Sequence, residues 1–371
     1  MKLETWRTPS TDHLDAAPQH VLRVAGAQRF HRSFLRREAS GKMNGRVASP
    51  FAVRDFPVCE DPLDEAFAVA FERGGDTRNI RGVDTQSNDC RHQSMILPPP
   101  DPRFAWRETA YGPALVCLPL ERLATHLFTT RAWSLGHVPA TPDAWHEPAR
   151  AIGLAGDALR RLKQVHGCTA VVAGEIADGA DALPEADIVL SNDPGLAIAA
   201  QAADCVPLLL ADSRLGVVAA AHAGWRGLVQ RVPAKVVDDL ARTYGSKPAD
   251  LVVAIGPSVG ACCYEVGADV LQAFAAAGFT DAERRRWFSP VPTPSPTNPS
   301  MAGLPPEPRA DHAYFDGWSC AREQLLAAGV PETQVFGAGS CTASHAALCS
   351  YRRDGKLAGR IVGVIRATDR G

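Results

Sequence analysis

Cys205 and His222 are the two residues whose types and spacing first suggest chemistry. They bracket two apolar runs, Val206 to Ala211 and Leu215 to Ala221, with the polar break Asp212-Ser213-Arg214 between them. Two runs of strand length around a short polar break predict a β-hairpin, which brings the start of the first run beside the end of the second. A loop over Asp212–Leu215 pairs Ala211 with Gly216 and sets Cys205 directly opposite His222. Opposed side chains share a face with Cβ atoms ~4.5–5.5 Å apart, which suits two ligands of one metal. A slip of one residue would turn one of them to the other face.

A thiolate and an imidazole become an open, catalytic-type zinc centre when a third ligand joins and a fourth position is left to water. His166 is the third candidate, predicted to leave a helix that Asp157 caps, Leu159 and Leu162 line, and Gly167 stops. The competing reading is a cysteine packed as a small hydrophobe and histidines satisfied by ordinary hydrogen bonds, and spacing alone does not separate the two. Arg226 lies between Gly224 and Gly227 at the start of a predicted helix, where an anion can bind, although a surface salt bridge explains it as well. Arg131, at the end of a strand, is a second anion contact. Asp204 can orient a ligand histidine or accept a proton, while capping a turn is the commoner use of such a residue. Cys262 and Cys263 are too strained a pair for an ordinary disulfide, so one is expected to line the cleft while the other packs. Arg352-Arg353-Asp354-Gly355 reads as a turn carrying solvated charge, with one arginine toward the pocket as the alternative.

Both faces of the hairpin are apolar. Pro207, Leu209, Val218 and Ala220 lie on the cysteine side, with Val206, Leu208, Leu210, Val217 and Ala219 on the other. A sheet covered on both sides implies layers, with the polar Asp-Cys and His ends at the rim, where a cleft can open. Around it the patterns predict strands at Ala114–Leu120, His126–Thr130, Thr169–Ala173, Leu251–Ile255 and Ile361–Ile365. Helices are expected at Val229–Tyr244, Gly267–Ala277 and Phe315–Ala328. The fold class is α+β. Residues 1–103, rich in Arg, Asp, Ser and Pro with weak periodicity, read as a disordered or loosely packed extension with a short helix at Leu63–Phe71. The folded domain spans 104–371 and carries a proline-rich insertion, 290–308, not expected to pack.

The chain has 371 residues, 46% of them hydrophobic, and a formal net charge of −2, which gives no electrostatic case for nucleic acid or an anionic membrane. Ten cysteines without a CxxC pair, behind a polar N-terminus with no signal peptide, point to a reducing cytoplasm rather than a disulfide framework. Apolar stretches are too short to span a bilayer.

Taken together, the segments resemble the laccase-domain family, described variously as multicopper polyphenol oxidases, peptidoglycan editing factors and purine nucleoside phosphorylases. The matching pieces are Phe128-Thr129-Thr130-Arg131, Gln164-Val165-His166-Gly167, Ala203-Asp204-Cys205, and His222-Ala223-Gly224-Trp225-Arg226-Gly227. Further along come Gly256-Pro257 with Cys263-Tyr264-Glu265-Val266-Gly267, then Cys341-Thr342, then Tyr351-Arg352-Arg353-Asp354. The resemblance implies a layered α/β/β/α domain akin to bacterial deamidating toxins, with one zinc held by His166, Cys205 and His222. It also implies phosphorolysis of adenosine, inosine and methylthioadenosine, with adenosine deamination as a side activity, so that purine nucleosides and phosphate are the partners. Cys205, Asp204 and Arg226 are then the catalytic candidates, and Arg131, Gln164, Arg226 and Cys262 the substrate contacts. Either a monomer or a homo-oligomer fits. The loop Trp133–Glu147 departs from the glycine-rich turn and asparagine-containing segment usual in the family.

Copper oxidases use many histidines, commonly as His-x-His; eleven histidines with no such pair, and four methionines, favour zinc over copper and disfavour the oxidase name. The usual zinc-deaminase signature is also absent. Two other classes compete with a phosphorylase. One is a Cys-His hydrolase or amidase editing peptidoglycan precursors, with Cys205 attacking and His222 as base. The other is a metal-stabilised binding module without catalysis.

Overall fold

The computed structural model describes residues 96–136, 142–177, 183–299 and 309–368, which form one compact unit. The expected helix at Leu63–Phe71 lies outside them. Residues 96–103, assigned by composition to the extension, run against the domain. Pro98 is buried, and its carbonyl accepts a hydrogen bond from the Trp106 indole at 2.8 Å.

Two mixed six-stranded sheets build the domain. In chain order the strands are β1 (Phe104–Thr109), β2 (Gly112–Cys117), β3 (Thr125–Thr129), β4 (Leu159–Arg160), β5 (Ala170–Val172), β6 (Ile188–Ser191), β7 (Ala197–Ala202), β8 (Val206–Asp212), β9 (Val218–Ala223) and β10 (Leu251–Ile255). A small three-stranded sheet, order β11-β13-β12, holds β11 (Glu265–Gly267), β12 (Phe288–Ser289) and β13 (His312–Phe315). The last strands are β14 (Val335–Gly337) and β15 (Ile361–Arg366). The two large sheets run β1-β2-β3-β15-β7-β4 and β14-β10-β8-β9-β6-β5.

The alternation expected of the hairpin sorts its side chains into two cores. Leu209, Ala211, Val218 and Ala220 meet Leu115, Phe128, Ile198 and Ile365 between the sheets. Leu208, Leu210, Val217 and Ala219 pack outward against Val236, Val237 and Leu240 of the helix Val232–Tyr244 and Leu325 of the helix Gly317–Ala327. The far face of the first sheet is closed by Trp133, Leu135, Ala149 and Ile152. These layers make the α+β, α/β/β/α architecture, and each hairpin face is buried because each has its own cover. Among the described residues no helix is long and apolar enough to cross a membrane.

Three expectations are corrected. The hairpin register is displaced by two residues, so that Pro207, not Cys205, pairs with His222, and Ala211 pairs with Val218. The cause lies in Asp212. Its carboxylate accepts from the N–H groups of Arg214 (2.8 Å) and Leu215 (2.7 Å), and its own N–H bonds the Val217 carbonyl. Asp212 therefore ends the first strand instead of opening the loop, and the turn moves along the chain. Because side chains alternate with period two, a shift of two keeps Cys205 and His222 on one face. Second, no helix leads into His166. A 3-10 turn, Gly156–Ala158, gives way to β4, which pairs in parallel with β7, so sheet pairing overrides the helical spacing of Leu159 and Leu162. Third, the first half of the proline-rich insertion packs. Ser295 and Asn298 are buried, and the Thr293 N–H bonds the Ala261 carbonyl. Residues 300–308 lie outside the described residues.

Candidate metal centre

Three chain segments converge at the rim of the β8–β9 sheet. Cys205 lies one residue before β8, His222 near the end of β9, and His166 on the loop between β4 and β5. One ligand atom from each lies within 4.8 Å of the other two. Cys205 Sγ is 3.8 Å from His166 Nε2, and the imidazole rings meet nearly edge to face with centroids 4.9 Å apart.

The His166 loop owes its shape to Asp187, which precedes β6. The buried Asp187 carboxylate accepts hydrogen bonds from the backbone N–H groups of Val165 (3.3 Å), His166 (3.1 Å) and Gly167 (2.7 Å). His166 can thus adopt φ 60, a left-handed conformation that a non-glycine residue takes only when its surroundings hold it. The same carboxylate lies 2.8 Å from His222 Nδ1. That contact fixes Nδ1 as the donor and leaves Nε2 to face Cys205, the arrangement in which an outer carboxylate orients a ligand imidazole. Gly224 supplies the remaining room. A Cβ there would lie 2.9 Å from both Cys205 Sγ and His166 Cδ2, closer than side chains approach.

Burial pushes the Cys205 thiol up, but the positive charge of His222 and hydrogen bonds from His166 and His222 outweigh it and bring the thiol down to about 6. For His222, burial favours the neutral ring, while the Cys205 thiolate and Asp187 hold it protonated up to about 9. The metal-free pair is therefore thiolate and imidazolium near neutral pH, and an ion entering the centre displaces the His222 proton. The donor set, one soft sulfur and two imidazoles with one of them already oriented, fits zinc.

The other expected site residues are distributed differently. Arg226 lies on the helix Trp225–Val229, stacked over the Trp225 ring at 4.3 Å. Arg131 meets an anion of its own chain, Asp354, at 3.1 Å. Gln164 is bonded to its own chain. Its amide nitrogen donates to the Gln201 carbonyl (2.7 Å) and its oxygen accepts from the Gln201 N–H (2.8 Å), clasping the His166 loop to β7 as an extra strand would. Cys262 is completely buried and does not line the cleft.

The carboxylate bonded to the His222 ring is that of Asp187, not Asp204. Asp204 sits at φ 98 with its carboxylate accepting from Thr342 Oγ1 and from the Arg352 N–H, both at 2.6 Å. Burial pushes its carboxyl up, and these bonds only partly offset that. It thereby anchors Arg352, whose guanidinium lies 5.6 Å from the Tyr264 ring centre. Burial and the Cys205 charge keep the Tyr264 phenol protonated, while the charges of Arg352 and Arg226 act in the opposite sense. Tyr264 thus sits within electrostatic reach of Cys205, Arg226 and Arg352 together.

Asp187 and Tyr264 were missed as site residues. Asp187 carried one sequence signal, an acid directly ahead of the apolar run Ile188-Val189-Leu190. Tyr264 stood inside a matched segment with nothing to mark its role.

The model of a family described as multi-copper polyphenol oxidoreductase laccase matches residues 143–368, which include all three convergent ligands. A purine nucleoside phosphorylase of Deinococcus radiodurans is 35% identical over 272 residues, covering 68% of this chain and 94% of that protein. Adenosine deaminase RL5, from an unknown prokaryotic organism, is 32% identical over 221 residues, 57% of this chain and 76% of its own. Among solved structures, YlmD from Geobacillus stearothermophilus superposes with a TM-score of 0.56 at 26% identity, over 71% of this chain and 99% of that one.

Proposed function

The chain belongs to the multi-copper polyphenol oxidoreductase laccase family, and from that membership we propose that it is a zinc-dependent purine nucleoside phosphorylase. Its proposed substrates are inosine, adenosine and methylthioadenosine, with adenosine deamination as a side activity. The observation that carries the reading is the convergence of His166, Cys205 and His222 beside a second cluster of Arg226, Arg352 and Tyr264. Relatives named for phosphorolysis and for adenosine deamination support the same chemistry at the level of nucleoside processing.

Zinc held by these three ligands would supply a Lewis acid with one position left for substrate or water. Phosphorolysis requires phosphate to be held against the ribose carbon while the purine departs. We assign that task to Arg226, with Arg352 beside it, because fixed guanidinium groups hold phosphate oxygens in a defined geometry. Arg352 is kept in position by Asp204, so Asp204 is a positioning residue in this scheme. The protonated Tyr264 phenol offers a neutral hydrogen bond to the bound nucleoside, and Asp187 keeps His222 in one tautomer.

The test is to incubate the purified protein with inosine or adenosine, with and without phosphate. Free hypoxanthine or adenine together with ribose 1-phosphate is expected only when phosphate is present, and inosine is expected to form slowly from adenosine regardless of phosphate. Absence of ribose 1-phosphate under every condition would overturn the phosphorylase reading. The low Cys205 thiol favours a Cys-His hydrolase as the second reading. A trapped acyl-Cys205 in place of phosphate-dependent base release would select it.

A further inference from the structure

Away from the centre just described, three more sulfurs come together. Cys262 and Cys263 lie on the turn that follows β10, and Cys341 follows β14. Their Sγ atoms all lie within 4.8 Å of one another, with 3.6 Å between Cys262 and Cys263. Three ligands around one ion at the ~2.3 Å typical of a metal–thiolate bond stand ~4 Å apart in a trigonal plane, so these sulfurs already have the spacing of a coordination shell.

Two N–H donors are aimed at the sulfurs. The Gly260 N–H donates to Cys341 Sγ at 3.3 Å, and the Asn298 amide points at Cys263 Sγ from 3.9 Å. Backbone bonds tie the two segments together, Ser258 N–H to the Ser340 carbonyl at 3.2 Å and Thr342 N–H to the Ser258 carbonyl at 3.1 Å. The proline-rich segment closes over the cluster through Ser295, 3.4 Å from Cys262 Sγ, and Thr297, which accepts the Cys341 N–H at 3.0 Å.

We propose that Cys262, Cys263 and Cys341 form a second metal site, made only of thiolates, that takes one Cu(I) ion. Soft sulfur donors select soft d10 cations. Structural zinc takes four protein ligands, and among the described residues this group of His, Cys, Asp and Glu side chains has three members. Cu(I) is satisfied by three sulfurs in a plane. Binding forms three Cu–S bonds and releases the thiol protons to solvent, with no change in oxidation state. The ion would fasten the 258–264 turn to the 340–342 segment, next to Tyr264 and, through the bond from the Val259 N–H to the Asp204 carbonyl at 3.0 Å, to the chain beside Cys205.

The test uses the full chain with Cys205→Ser, which removes the first centre, kept reduced and free of oxygen. Cu(I) is offered as its bathocuproine disulfonate complex. One Cu(I) per chain should be withdrawn from the chelator, and adding Cys263→Ser should weaken that uptake by at least a hundredfold. Cys263 is partly exposed, so this variant should keep the copper-free melting temperature; Cys341→Ser provides a second check. Three results would each overturn the proposal: no withdrawal of copper, equal withdrawal by the Cys263→Ser chain, or stoichiometric zinc at the cluster in preference to copper. A disulfide among these residues in protein isolated with its thiols blocked would do the same.

Discussion

Cys205→Ser is expected to abolish stoichiometric zinc and, with it, phosphate-dependent release of base from inosine. The change is nearly isosteric, so the loss would come from the donor atom. A hydroxyl is a much harder ligand than a thiolate, and at neutral pH it keeps its proton, whereas the Cys205 thiol is brought down to about 6. Losing a primary ligand should cost more than the ~10–100-fold in metal affinity that losing an outer partner costs. Activity should fall with metal occupancy, while the melting temperature of the metal-free chain should change by only a few degrees. Retained zinc with lost turnover would instead make Cys205 a nucleophile. Retained zinc with full turnover would remove it from the site.

Asp187→Asn has the second largest expected effect, because one carboxylate serves two ligands. It fixes the tautomer of His222 and gathers three backbone N–H groups beneath His166. An asparagine has one acceptor oxygen, and its amide group would set donor against donor on the other side. Metal affinity is expected to fall ~10–100-fold and stability by about 3 kcal/mol. The pH dependence should change too. Burial raises the Asp187 carboxyl, but the His222 ring and the N–H groups of Gly167 and Val165 outweigh it and hold it below 3.8. A depressed carboxyl contributes its full stabilisation above the unfolded value and loses it as pH falls through the folded one. Wild type should therefore lose this contribution only below about pH 4, and Asp187→Asn should lack it at every pH. Equilibrium unfolding by denaturant across pH 3 to 8, with zinc affinity measured by competition, checks both parts. An unchanged affinity would dismiss the orienting role.

The layered core could be read from the sequence because alternation in the hairpin depends only on which residues are apolar. Leu208, Leu210 and Ala219 could face only one cover, and Leu209, Val218 and Ala220 only the other. The register was less legible. It depended on whether the Asp212 side chain would bond the Arg214 and Leu215 N–H groups, a local competition that hydrophobic pattern does not reveal. His166 was found for a reason that proved wrong. Its position comes from a carboxylate 21 residues along the chain, not from the end of a helix. Gln164 and Cys262 stand in or beside matched segments, and only the fold shows that Gln164 clasps β7 and that Cys262 is buried. Arg352 and Tyr264 gain their relation to Cys205 only through tertiary folding, since more than fifty residues separate each of them from it.

The account turns on whether one ion is held by one sulfur and two imidazoles. X-ray absorption at the zinc edge, on protein whose metal content has been measured, tests this directly. One zinc per chain is predicted, with a single sulfur at ~2.3 Å and two imidazole nitrogens at ~2.0–2.1 Å. A zinc shell of sulfur alone or of oxygen alone would contradict it, as would metal-free protein that still converts inosine and phosphate to hypoxanthine and ribose 1-phosphate.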